Sequence, residues 1–151
     1  MAVVDPSIEP LTFVFADDGL VPNNPMPFLV YKGAVDVANA HPEQTIEGLF
    51  GANGWGEMWR NGVYDYLHYH ATVHEALGVA RGRAQVRFGG DHGREFEIAA
   101  GDVGHLPPGL QTGALGNREK WDLEASTTAA VAAGADSPIV LLISFDGYRW
   151  D

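Results

Sequence analysis

Apolar and polar positions alternate with a period of two in several parts of this chain, and that period predicts strands. Ala84, Val86 and Phe88 interleave with Arg83, Gln85 and Arg87, while Phe96 and Ile98 interleave with Glu95 and Glu97. Each run gives one buried and one wet face, and the Gly-Gly-Asp-His-Gly between them predicts a hairpin turn. Strands are also expected over Leu11–Phe15, Phe28–Ala34, Tyr64–His70, Glu75–Ala80, Asp102–Leu106 and the strongly apolar Pro138–Phe145. A single helix is expected near residues 43–53. Pro42 suits its first turn, Ile46, Leu49 and Phe50 share a face, and Gly51 and Gly54 mark its end. Residues 117–137 show no clear period and read as a loop with one alanine-rich turn. Short strands joined by glycine turns describe an all-β sandwich or barrel.

Composition supports that picture. Nineteen glycines and nine prolines in 151 residues favour tight turns over helices. The length suits one domain, taken as 1–151, with an N-terminal strand extension over 1–40 and a divergent insertion at about 117–137. The absence of cysteine excludes disulfides and thiolate metal sites. A net charge of −11 without a basic cluster argues against nucleic acid as a partner. No apolar run is long enough to span a bilayer and the first residues do not read as a signal peptide, so a cytoplasmic protein without membrane contact is expected.

The candidate chemistry lies in GVYDYLHYHATVHEALGVARG, residues 62–82. His68 and His70 point the same way on a strand, and Glu75, past a turn, can swing back onto that face. Two imidazoles and a carboxylate at one point form a recurring set for Fe, Mn, Ni, Zn or Cu with open positions left over. The stretch, G-x5-His-x-His-x4-Glu-x6-Gly, resembles the first signature of the cupin superfamily at every fixed position. Together with TFVFADDGLVPNNPMPFLVYKGA and NGWGEMWRNGVYDYLHYHATVHE, it resembles small bacterial single-domain cupins over roughly residues 11–110. The resemblance implies a double-stranded β-helix, or jelly roll, a divalent transition metal ion and a homodimer.

The resemblance fails at one place. The second cupin signature, G-x5-P-x-G-x2-His-x3-Asn, is met by Gly101, Pro107 and Gly109, but its histidine position holds Thr112 and its asparagine position Gly116. Three readings follow. His68, His70 and Glu75 form a three-ligand site completed by water. Alternatively His105, inward by parity if Asp102 faces outward, replaces the missing ligand from across the barrel. Or His74, at the turn, serves beside the ligands or shuttles protons. Against these stand polar residues of a lapsed site, a structural His105 and a solvent-exposed His74. His41 and His92 read as surface residues.

Trp55, Trp59, Arg60, Tyr64 and Tyr66 precede the histidines, and Tyr64 and Tyr66 share their parity. Aromatics with one guanidinium suit a small organic acid or planar ring; the alternative for Trp55 and Trp59 is that they simply close the barrel floor. The expected function is a metal-dependent enzyme acting on a small organic molecule by oxygenation, isomerisation, cyclisation or hydrolysis. Tyr66, Arg60 and His74 are then its catalytic candidates. The alternatives are a non-catalytic metal- or small-molecule-binding barrel and a metal-free acid–base catalyst using His68 or His70 with Tyr66.

Overall fold

The computed structural model describes residues 7–17, 23–62, 69–90, 92–110, 112–114 and 140–146, the last two segments by their backbone alone. The strands are β1 (Leu11–Phe13), β2 (Phe28–Tyr31), β3 (Trp55–Asn61), β4 (Glu75–Arg81), β5 (Arg83–Phe88), β6 (Arg94–Ala99), β7 (Val103–Leu106), β8 (Thr112–Ala114) and β9 (Val140–Asp146). The helix, α1, runs Pro42–Ala52. They form a larger sheet ordered β1-β2-β7-β4-β9-β3 and a smaller one ordered β6-β5-β8. The paired strands run antiparallel. From β4 onward the chain repeatedly changes sheet, which is how a jelly roll is wound. The protein is thus an all-β jelly roll, with one helix among the described residues.

Register divides the larger sheet into two faces. Glu75 lies opposite Leu106 and Leu77 opposite Gly104, whereas Ala76 lies opposite His105 and Gly78 opposite Val103. The first face turns to the smaller sheet, where Phe28, Val30, Leu77, Val79 and Leu106 pack on Ala84, Val86, Phe88 and Ile98. The second carries Ala76 and Ala80 against Ile46, Leu49 and Phe50 of α1. With both faces covered, β4 is buried from Glu75 to Ala80 and loses the wet-dry alternation that β5 keeps.

Gly78 lets the helix come this close, because a Cβ there would stand 2.6 Å from Ile46 Cγ2. Glu43 of α1 is held by the Arg81 guanidinium at the end of β4. A phenylalanine cluster packs between the sheets. Phe13 stacks on Phe15 and Phe96, and Phe28 stacks on Phe88 at 4.3 Å between centroids. The Phe15 ring sits where a side chain at Gly89 would have to go.

The expected strands over 75–80, 83–88 and 94–99 and the helix are present. Those over 11–15, 28–34, 102–106 and 138–145 are shorter or shifted at their ends. Most of the expected strand Tyr64–His70 lies outside the described residues, as does the segment 117–137. The sequence did not announce β3. Its period is broken by a bulge between Gly56 and Trp59, where Glu57 adopts φ +47°. No helix among the described residues is long and apolar enough to cross a membrane.

Candidate functional site

Glu75 opens β4 on the face turned to the smaller sheet, and only 3% of it is exposed. His70, half-buried in the segment that leads into the turn before β4, brings Nε2 to 3.6 Å from Glu75 Oε2. Burial pushes the Glu75 carboxyl up to about 7, because a charge in a dry setting loses its hydration. A nitrogen and an oxygen donor thus converge at the start of β4.

The turn after β7 holds His70 from behind. Leu110 N–H donates to Pro107 C=O at 3.3 Å, and Gly109 sits at φ +81°, as the third residue of a type II turn requires. Gly109 N–H donates to His70 C=O at 2.7 Å. On the other side of the turn, Asn24 Nδ2 donates to Pro108 C=O at 3.0 Å, while Asn24 Oδ1 accepts from Met26 N–H at 2.8 Å. The adjacent Asn23 Nδ2 donates to Ala16 C=O at 2.9 Å and to Gly89 C=O at 3.0 Å. Asn23 and Asn24 therefore lace the N-terminal segment to two turns, which the turn-like composition around them did not disclose.

His105 is not where parity from Asp102 put it. Asp102 faces inward, 3% exposed, and its carboxylate accepts from Gly33 N–H and Ala99 N–H at 2.8 Å each and from the Lys32 ammonium. Counting from an outward Asp102 therefore reversed the strand. Val103 packs with the helix-side cluster and His105 lies opposite Ala76, on the face away from Glu75. There His105 Nε2 stands 3.0 Å from His74 Nδ1, and its ring meets the edge of Trp55 with centroids 5.9 Å apart. His74 is thus part-buried and joined to His105, not to Glu75.

Arg60 is also turned elsewhere. Its Nε and Nη2 donate to the two carboxylate oxygens of Glu47 on α1, at 2.8 and 3.1 Å. That fork-to-fork pairing commits the guanidinium expected to grip a substrate to the helix side. Trp55 packs on the helix-side cluster, while Trp59, level with Ile143 and through it with Leu77, belongs to the Glu75 face and is 37% exposed. His41 and His92 are exposed, as expected. Tyr64, Tyr66 and His68 lie outside the described residues. Thr112 pairs with Phe88 through its backbone. Among the described residues no three His, Cys, Asp or Glu side chains gather into a metal-sized group.

No protein-family model matches the chain. An uncharacterized protein, YjlB, of Bacillus subtilis (strain 168) is 36% identical over 103 residues, which are 68% of this chain and 59% of that protein. The chain thus spans somewhat more than half of this curated relative. Among solved structures, a DUF861 family protein from Thermotoga maritima is 19% identical, with TM-score 0.37 over 68% of this chain and 88% of that one. Acireductone dioxygenase from Bacillus anthracis, solved with a cadmium ion in its active centre, is 12% identical, with TM-score 0.48 over 81% and 79%. Both solved structures are likenesses of fold at low sequence identity.

Proposed function

We propose that this protein is a metal-dependent cupin enzyme that holds a divalent first-row transition ion through His68, His70 and Glu75 and acts on a small organic molecule. The observation that carries the reading is the approach of His70 Nε2 to 3.6 Å from a buried Glu75 carboxylate. Imidazole nitrogen and carboxylate oxygen are donors that such ions accept, and a dry carboxylate gains most from a cation beside it. His68, two positions before His70, would share its direction in an extended strand. A bound ion would supply Lewis acidity toward a substrate oxygen, or a seat for O2 if redox-active.

In this reading Glu75 and the two imidazoles bind and orient, and the apolar side chains packed between the sheets keep water from the Glu75 face of β4. Tyr66, which shares the parity of His68, is the candidate for moving a proton at the substrate. Arg60 and His74 drop out of that role, since Glu47 and His105 engage them on the other face.

A second reading rests on the same pair. Without an ion, a buried carboxyl and an imidazole 3.6 Å apart form an acid–base couple. Metal analysis of protein purified without an affinity tag decides between them. Stoichiometric metal in the wild type that is lost in each of His68→Ala, His70→Ala and Glu75→Ala, with folding retained, supports the first reading. Full occupancy in two of the three variants refutes the proposed ligands, and a wild type whose melting ignores added Fe, Mn, Ni and Zn favours the second.

A further inference from the structure

Pro108 C=O and Gly109 N–H belong to one peptide group, and that group is gripped at both ends. Asn24 Nδ2 donates to its oxygen at 3.0 Å, and its N–H donates to His70 C=O at 2.7 Å. A trans peptide is rigid and points its oxygen and hydrogen in opposite directions, so neither bond can form unless the whole plane faces the right way. The plane between the two central residues of a Pro-Gly turn is also the element that can flip. Type I and type II turns differ by about half a revolution of it, and the positive φ of Gly109 is the type II state. Flipping it would turn Pro108 C=O toward His70 C=O and leave Asn24 Nδ2 without its acceptor.

We propose that Asn24 is a positioning residue for the site. By donating to Pro108 it locks the Pro108–Gly109 peptide in the orientation that holds the His70 backbone, and so sets where the His70 ring stands relative to Glu75. The two hydrogen bonds run in series through one polarisable amide, so each strengthens the other. Asn24 is suited to the task by its two-sided side chain. Oδ1 accepts from Met26 N–H and fixes the side chain, which leaves Nδ2 aimed at the turn. Asn23 holds a different turn, at Gly89, and provides a built-in control. This inference deepens the metal reading and rests on it for its functional consequence.

The test is Asn24→Asp, which keeps the acceptor for Met26 N–H, removes the donor and sets a negative charge against Pro108 C=O. Two quantities are read in metal-free protein and in protein titrated with Ni2+. Amide hydrogen exchange at Gly109 should rise at least tenfold while Val79 N–H, bonded to Asp102 C=O in the core, exchanges as in the wild type. Ni2+ affinity should fall roughly fivefold to tenfold, the worth of one such bond. Asn23→Asp should lower the urea midpoint and leave both readouts unchanged. If Asn24→Asp does not fold, Asn24→Ser, which keeps a short acceptor and loses the long donor, takes its place. Wild-type exchange at Gly109 in the variant overturns the clamp, and raised exchange with unchanged Ni2+ affinity overturns its role in positioning His70. A wild type that binds no Ni2+, Mn2+, Fe2+ or Zn2+ refutes the metal reading instead, and the clamp then stands or falls on Gly109 exchange alone.

Discussion

Replacing Glu75 with glutamine separates the cost of a buried charge from the benefit of a ligand. Glu75 is 3% exposed, and burial moves its carboxyl from the ordinary 4.5 to about 7. A folded-state value above the unfolded one means that folding favours the protonated acid. The associated stability is fully present below about pH 4.5 and is lost as pH rises through about 7. At about 1.4 kcal/mol per unit, the loss between those limits is at most about 3 kcal/mol. Glutamine has nearly the shape of the protonated acid and cannot ionise, so metal-free Glu75→Gln should lack this slope. Urea unfolding in the presence of a chelator, from pH 5 to pH 8, measures it. The wild type should weaken relative to the variant as pH rises, with the variant the more stable of the two by a few kcal/mol at pH 8. Repeating the pair in a His70→Asn background isolates the carboxyl from its neighbour. Parallel pH profiles for the two proteins would refute the claim that Glu75 is held in a dry site. In the presence of metal the order should invert, because the carboxylate is then the better ligand.

Gly78→Ala should destabilise the fold by about 1–3 kcal/mol in urea, since its Cβ would press to 2.6 Å from Ile46 Cγ2 and 3.1 Å from Phe50 Cζ. An unchanged urea midpoint would show that α1 can shift away from β4 at no cost. Thr112→His, at the position where the cupin signature has its last histidine, should tighten Ni2+ or Mn2+ binding by about tenfold or more, as calorimetry would read it. The gain should shrink below about pH 6, where the new imidazole must first lose a proton.

The sequence disclosed what local pattern controls. The period of two in β5 and β6 and the 3.6-residue face of α1 are set by side chains a few positions apart, and they matched the structure. The His-x-His-x4-Glu spacing likewise led to Glu75 and His70, which the fold brings within 3.6 Å. Properties that depend on distant partners were not legible. Asp102 reads as a polar strand end, yet backbone amides of Gly33 and Ala99 draw it inward, and that reversed the inference for His105. Arg60 reads as a free cation beside aromatics, but Glu47 claims it from a helix thirteen residues earlier. The bulge in β3 hid a strand because one extra residue shifts the alternation in mid-run.

The division of β4 into two faces has a consequence for how this protein can diverge. Glu75 looks to one side of the sheet, while His74 and Ala76 look to the other. The side-chain period of a strand is two, so shifting β4 by one residue would present a neighbour of Glu75 at its place. The four residues 71–74 that lead into the strand therefore act as a reading frame for the site. Point substitutions there alter one contact at a time, whereas a single-residue insertion or deletion, if β4 slid to absorb it, would exchange the two faces together. Lineages that keep the chemistry should therefore vary this segment in identity but not in length, and should place their insertions elsewhere.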